Sequence, residues 1–486
     1  MCSSKTDIRG LLAVLLLVLT LFGFNPTPAA AAWSPTPSPI DTGTNLDASS
    51  PQIALNSLGQ ALAVWVQTDG SYYRLYANRW NGSAWSGAAL IDAGTGQNVS
   101  TPRIALDASG SAIVVWVQRD GTGKRVYANR WNGSFWAGAE IIDAGLPGSG
   151  IVIALDVGPP VIALDGSGNA IAVWSQWSGS DWRNYACRWN GSSWSGAADI
   201  SGYAFAGVYS QPQVAFDGTG NAIAVWNRWD GTNYRVSSNH WNGSVWSGAT
   251  VLDAGPGFDA WGPQVAIDGS GHAIAVWSQL DGVNLRVGAR RWDGSAWSGM
   301  ATLDAGGSDT SAPQIALDGS GNAISIWGLQ SSGTSYRTYA NRWNGVAWGG
   351  PEAIDDGVGG NIYPRARIAL DGAGNATAVW DQSDGAITRI YANRWNGSAW
   401  SGAALIDGGN NYFAANPTIT RHSTGTEIAL YVQYDNQDNG HIYANFWTNS
   451  VAVPSAIPAL SGWGMILLCG LIVLFGLSSA RREKSV

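Results

Sequence analysis

The stretch YANRWNGSAWSGAALID stands twice in the chain without a change, at 76–92 and 391–407, with close copies between, such as YANRWNGSFWAGAEIID at 127–143. Repetition at a fixed period constrains a fold more than composition does. Each repeat must be one supersecondary unit that buries its apolar face only against its neighbours. Four segments recur in order, of the forms PQIALD, GSGNAIAVWSQ, VYANRWNG and SAWSGAALIDAG. The tryptophan closing the second segment falls at Trp65, Trp116, Trp174, Trp226, Trp277, Trp327 and Trp380, spaced by 51, 58, 52, 51, 50 and 53 residues, with Tyr431 in the eighth place. The long third unit comes from a local duplication, VIALDVGPPVIALD.

Each segment is short, alternating and bounded by turn residues, the signature of β-strand. Asn-Gly follows the third-segment tryptophan at 81–82, 132–133, 190–191, 242–243, 344–345 and 396–397, with Asp293-Gly294 as a variant. That dipeptide predicts a two-residue type I′ hairpin, in which Trp80 pairs with Ser83. Each unit is then a four-stranded antiparallel meander, and the fold class is all-β, a β-propeller with one blade per unit. The eighth unit lacks a fourth strand. The mature N-terminus supplies a match, since AWSPTPSPIDTG at 32–43 parallels AWSGAALIDAG at 84–94. Residues 33–43 are therefore expected to close the last blade of eight. Seven blades follow instead if this Pro-rich stretch is a linker.

Alternation places Arg74, Tyr76, Asn78, Trp80 and Trp85 on one blade face, and Leu75, Ala77, Arg79 and Ala84 on the other. Twenty-three of the 28 tryptophans fall in the repeat columns, which makes the repetition a packing device first. The recurring arginines (Arg74, Arg125, Arg183, Arg235, Arg286, Arg337 and Arg389) are expected to bridge blades. Trp177, Trp182, Trp229 and Trp261 stand outside the columns, in loops between second and third strands or in blade connectors. Tyr203, Phe205, Tyr209 and Phe258 join them. Aromatic rings on the connector face of a rigid scaffold are a candidate surface for stacking sugars, and Trp177, Trp182, Tyr203, Tyr209, Trp229 and Trp261 are the expected ligand-binding residues.

No catalytic constellation emerges. Glu140, Glu352 and Glu427 are the only glutamates between the two terminal segments and lie in different units, so a carboxylate pair for glycoside hydrolysis has no support. Asp107, Asp165, Asp217, Asp268, Asp318 and Asp371 occupy matching turns and fit turn-forming roles. His240, His272, His422 and His441 lack metal-ligand spacing, so no metal and no cofactor is expected.

The two ends have other jobs. Lys5 and Arg9, an apolar run from Leu11 to Phe24 and PTPAAAAW describe a secretory signal peptide over 1–32. The propeller is expected over 33–450. Residues 451–486 hold a linker, then IPALSGWGMILLCGLIVLFGLSSARREK. This tail resembles the IPTL-CTERM sorting tags of Gram-negative bacteria, through Ile457, Pro458, Leu460, Ser461, Trp463 and Gly464. It departs from them at Ala459 and Gly462, where threonine and an acid are usual. The resemblance implies a transmembrane sorting helix that anchors the chain transiently in the inner membrane until a sorting protease cuts it. The protein would then reach the cell surface or the medium. Loss of both ends would take the formal charge from −8 to −11, which argues against a nucleic-acid partner. Cys187 would remain as the single cysteine, leaving no intrachain disulfide.

RWNGSAWSG is similar to the CWDGxxW hairpins of fucose-binding propeller lectins over fewer than ten residues per blade. It also looks loosely like the aspartate boxes of sialidases, whose spacing it does not keep. Neither resemblance carries a site across. The expected function is non-catalytic binding of a glycan or exopolysaccharide. A structural or protein-interaction scaffold is the alternative, followed by a sialidase-like glycoside hydrolase.

Overall fold

The computed structural model describes residues 32–43, 46–121, 123–143, 157–202, 210–253, 255, 257–332, 335–357, 366–422 and 425–448. The expected signal peptide, sorting motif and transmembrane segment lie outside the described residues. Among the described residues no helix is long and apolar enough to cross a membrane.

The repeats become eight antiparallel sheets arranged as an eight-bladed β-propeller. In blade 1 the inner strand Ala48–Leu55 pairs with Ala61–Thr68, then comes Tyr73–Trp80, then a fourth strand of only two residues, Ala89–Leu90. The other blades repeat this order.

What joins blade to blade is the second-strand tryptophan. Trp65, Trp116, Trp174, Trp226, Trp277, Trp327 and Trp380 are all fully buried, as is Tyr431. Each belongs to an apolar cluster that spans one of the eight interfaces; Trp116, for example, packs on Leu62, Val64 and Leu75 of blade 1. Burying such a ring removes roughly 150–250 Å² from water. The indole N–H needs a partner there. A glutamine two residues on supplies it, with Trp116 donating to Gln118 at 2.9 Å and Trp174 to Gln176 at 2.8 Å. Arg228 and Leu329 stand where that glutamine would be in blades 4 and 6, and the indole nitrogens of Trp226 and Trp327 are left without a partner.

The tryptophan hairpin departs from its expected form. Trp80 faces Trp85, not Ser83, and the equivalent tryptophans pair likewise in the next six blades. The loop holds four residues. Asn81 N–H donates to the Ala84 carbonyl at 3.1 Å, while the Asn81 side-chain oxygen accepts from the Ser83 and Ala84 N–H groups, both at 2.9 Å. Gly82 alone takes a positive φ, of +101°. Asparagine thus serves as a side-chain acceptor in an Asx turn and not as the first residue of a type I′ turn. The register moves by two, so the faces assigned from alternation are unchanged.

The arginine column also differs from expectation, since it stays within its own blade. Arg74 donates to both oxygens of Asp92 at 2.8 Å, and Arg389 grips Asp407 at 2.8 and 2.7 Å. The carboxylate also takes a backbone N–H, as Asp253 does from Val236 at 2.7 Å. Each such pair clamps the third strand to the connector leaving its blade, except in blade 3, where Ser201 takes the aspartate's place and Arg183 holds Asp181 and Asp199 instead. The expected turn role of the aspartates holds, since Asp165 accepts from the Ser167 and Asn169 N–H groups at 2.8 Å.

Inner strands carry a second irregularity. Bulges follow Ser49, Ser100, Trp261, Ser311 and Ala415. At each, one residue is left-handed: Ser50 (φ +56°), Thr101 (+51°), Gly262 (+56°), Ala312 (+46°) and Asn416 (+56°). A proline follows every one of them. Left-handed backbone costs a non-glycine residue about 1–2 kcal/mol. Just beyond the bulge the chain sets Gln52, Arg103, Gln264, Gln314 or Thr418 opposite the second strand.

Short strands Ala32–Trp33 and Ser38–Pro39 pair with Gly440–Thr448. Ser34 N–H donates to the Phe446 carbonyl at 2.9 Å, and Ile40 N–H to that of Ile442 at 2.8 Å. Asp41 meets His441 at 3.0 Å, as Asp92 meets Arg74 in blade 1. The Ile40 carbonyl accepts from Asn78 of blade 1 at 2.9 Å, so this segment also ties the two ends of the ring. Its prolines are tolerable on an outermost edge.

Removing residues 1–43 should leave Gly440–Thr448 as an unpaired edge and strip Asn78 of its partner. Scanning calorimetry is expected to give a lower unfolding midpoint, and size-exclusion chromatography a new dimeric or aggregated fraction.

Candidate functional site

Two of the aromatic groups expected on the connector face do assemble. Trp177 lies opposite Trp182 at the tip of its hairpin, with ring centroids 6.1 Å apart and edge to face. Trp182 is only 7% exposed, so it offers little surface to a ligand. Trp229 lies opposite Tyr234 at 5.1 Å, and Tyr234 reaches Trp261 of the next blade at 6.0 Å. Trp229 and Trp261 thus meet through a tyrosine that the sequence reading had not singled out. Tyr203, Phe205 and Tyr209 lie outside the described residues. Phe258 is 40% exposed nearby in sequence.

A more complete arrangement lies between blades, and it depends on one column of asparagines. Asn129 donates to the Ile91 carbonyl of the preceding blade's connector at 2.9 Å and accepts from Gly138 N–H at 3.1 Å. Asn78, Asn239 and Asn341 act alike, and their partner glycines 87, 138, 248 and 350 all have φ near +100°. One side chain therefore locks its own hairpin onto the blade before it. In blades 3 and 5 the column is broken by Cys187 and Arg290. There the corresponding glycines, Gly196 and Gly299, leave the left-handed region.

At both of these positions a slot opens. The slot between blades 3 and 4 has a volume of about 240 Å³ and is lined by Cys187, Arg188, Ser195, Gly196, Ala198, Trp241 and Trp246, with Ile171 and Ala186. That between blades 5 and 6 has about 210 Å³ and repeats this lining position for position, with Arg290, Arg291, Ser298, Gly299, Ala301, Trp343 and Trp348.

Sister interfaces show what the same position does when it carries an acid. Glu140 of blade 2 and Glu352 of blade 6 stand where Ala198 and Ala301 do in the open slots. One Glu140 oxygen accepts from Arg130 Nε at 3.2 Å and from Trp194 Nε1 at 3.1 Å. Glu352 does the same with Arg342 at 3.3 Å and Trp400 at 3.2 Å. The arginine is drawn onto the neighbouring indole, 3.9 Å above Trp189 and 3.8 Å above Trp395. In the open slots no acceptor bridges the two donors. Arg188 sits 5.6 Å from Trp241 and Arg291 5.3 Å from Trp343. The indole N–H groups of Trp246 and Trp348 have no acceptor among the described residues, and Trp241 Nε1 and Arg290 Nε are buried without one.

The sequence did carry this signal. Cys187 and Arg290 are visible as breaks in an asparagine column, and Ala198 and Ala301 as the common residue where two glutamates intrude. Its meaning depended on knowing which face of one blade meets which face of the next. Among the described residues no group of three histidine, cysteine or acidic side chains is placed to hold a metal ion.

No protein-family model matches the chain, and no curated protein sequence does. Among solved structures it is similar to a protein of unknown function from Dyadobacter fermentans (9% identity, 84% of this chain and 97% of that one, TM-score 0.42). It is also similar to an ulvan lyase of polysaccharide lyase family 25 (11%, 86% and 94%, 0.46) and to the fucose-binding lectin of Aleuria aurantia (13%, 76% and 98%, 0.38).

Cys187 makes the first slot measurable. Burial pushes its thiol up to about 11, and its Sγ–H donates to the Ser195 carbonyl at 2.9 Å. At pH 8 a free thiol is about a quarter ionised, so this one should alkylate at least ~100-fold more slowly when folded than in denaturant. Timed iodoacetamide labelling, with the Cys187 peptide followed by mass spectrometry, checks this.

Proposed function

We propose that this protein is a non-catalytic glycan-binding propeller that takes single sugar residues into the two open inter-blade slots. One observation carries the reading. Where a glutamate is present, its carboxylate bridges an arginine and an indole N–H, and beside Ala198 and Ala301 the same two kinds of donor frame a cavity. The slots are smaller than the ~300–1,000 Å³ of a drug-sized site, which suits one pyranose ring better than an oligosaccharide. Indole faces supply an apolar stacking surface, and the guanidinium and indole N–H meet hydroxyl or carboxylate oxygens. The slots lie two interfaces apart, so a polymer with repeating residues could engage both and gain avidity without a new contact.

The chain of rings formed by Trp229, Tyr234 and Trp261 supports a second stacking surface on the connector face, as the sequence reading placed it. We place the protein at the cell surface or outside the cell of a Gram-negative bacterium. It would be exported through the signal peptide and anchored by the C-terminal tag until a sorting protease acts. Bacterial exopolysaccharide is the ligand that such a location offers.

A glycan array including bacterial exopolysaccharides, followed by titration of any hit, tests the reading. Ala198→Glu and Ala301→Glu together plug both slots with the residue that blades 2 and 6 already carry, so the fold should be kept. Binding is expected to vanish in that double variant, while Trp246→Ala or Trp348→Ala alone should weaken it about tenfold, or about 1.4 kcal/mol. Retained binding in the plugged variant, lost on Trp229→Ala or Trp261→Ala, would move the site to the connector face. A folded protein that binds no glycan would instead be a surface scaffold.

A further inference from the structure

The inner strands place one residue per blade at a matching position: Gln52, Arg103, Val161, Gln213, Gln264, Gln314, Arg367 and Thr418, each opposite a second-strand valine, isoleucine or leucine. Blades 1, 2, 7 and 8 border a cavity of about 250 Å³, lined by Ser50, Gln52, Thr101, Arg103, Arg367 and Asn416, with Pro51 and Pro417.

Its electrostatics differ from those of the arginine–carboxylate pairs between and within the blades. Arg74, Arg125, Arg235 and Arg389 each hold a buried aspartate, and Arg394 and Arg421 hold Glu427. Arg103 pairs with no carboxylate among the described residues. Its one hydrogen bond runs to the Pro102 carbonyl at 2.9 Å. Burial and the positive charge of Arg367 together pull its guanidinium down to about 10. Two like charges share this cavity inside a chain whose formal charge is −8.

The lining is built for donation. Gln52 Nε2 bonds to the Pro51 carbonyl at 2.7 Å and Arg367 Nη1 to that of Ala366 at 3.1 Å, so the ring side chains are held by the backbone just before them. That hold leaves most of the Arg103 fork undirected. The Thr101 hydroxyl is buried in the wall without a partner among the described residues. Ser50, Thr101 and Asn416 are left-handed non-glycine residues at the bulges that form the wall, and such outliers cluster where a structure positions a ligand.

We propose that the axial cavity between Arg103 and Arg367 is a binding site for a tetrahedral oxyanion, sulfate or phosphate, free or carried as an ester on a larger ligand. Donors converge from several blades around it, which matches a tetrahedral group better than a planar carboxylate. Two guanidinium groups supply the charge, and the hydroxyl and amide groups supply directed hydrogen bonds. An anion in this position would also relieve the repulsion between the arginines. This site is separate from the inter-blade slots and goes beyond glycan binding there.

Calorimetric titration of the full-length protein with inorganic sulfate, inorganic phosphate and glucose 6-sulfate, in chloride buffer at constant ionic strength, tests the site. Saturable binding of one anion per chain is expected, weakened at least tenfold by Arg103→Gln and, independently, by Arg367→Gln. The Ala198→Glu, Ala301→Glu variant should bind the anion as the parent does, which separates this site from the slots. In chloride alone Arg103→Gln should melt no lower than the parent, because it removes one of two repelling charges. Tighter binding of the ester than of inorganic sulfate assigns the site to a carried group, and the reverse assigns it to a free ion. Absence of saturable binding by all three probes, or unchanged affinity in Arg103→Gln, would overturn the proposal.

Discussion

The structure depends on an indole buried where water cannot reach it. Each second strand drives a tryptophan, or in blade 8 a tyrosine, into the blade before it, and eight such contacts close a ring with no disulfide among them. Dispersion and hydrophobic burial do the holding, but the N–H at the ring edge decides the local sequence. It requires an acceptor in an apolar interface, and the glutamine two residues later, on the same strand face, is the nearest that alternation allows. Around this anchor the rest falls into order. Alanines alternate where strands crowd, an arginine–aspartate clamp fixes the exit of most blades, and in six of the eight an asparagine fastens the hairpin to its neighbour.

A ring of eight near-identical interfaces has an uncommon property, because an exception in one column has seven internal controls. Cys187 and Arg290 are ordinary residues in isolation. Against six asparagines in the same place they explain why two hairpins relax and two cavities appear. Gly288 is a different kind of exception. A Cβ there would come within 2.8 Å of the Trp277 ring, so the blade 5 indole takes the space that a tyrosine fills in most blades. The glutamates are exceptions as well. Only Glu140 and Glu352 reach the fourth strand, and both do the same work there. Residues that looked like stray acids are carboxylates that each bridge an arginine and an indole across a blade interface.

Much of the fold was legible in the sequence because a repeat states its own boundaries. The strands, their faces, the ring of blades and the role of the tryptophans follow from period and alternation. The Asn-Gly hairpin was misjudged because asparagine has two ways to make a turn, by its backbone or by its side chain, and the dipeptide does not tell which prevails. The arginines were assigned to the wrong partner for a related reason. A charge column is plain in one dimension, but the aspartate 18 residues on returns to it only through the short fourth strand. The slots were hidden more deeply, since they belong to pairs of blades. Arg103 and Arg367 were passed over because nothing in a linear reading says that their two blades share a cavity.

The way the ring is fastened sets how it would respond to tension. Ser34 pairs with Phe446 and Ile40 with Ile442, so the segment leading to each end of the propeller leaves from the same side of one antiparallel ladder. A pull on both ends would load those bonds one at a time, as a zipper is opened, and not all together as in shear. The contact between Asp41 and His441 spans 400 residues and lies at the far end of the stretch to be peeled, so it is the last of these bonds to be loaded. Held at one end only, the molecule carries no load across this seam. Held at both, it would part there first, with the seven other blades still closed.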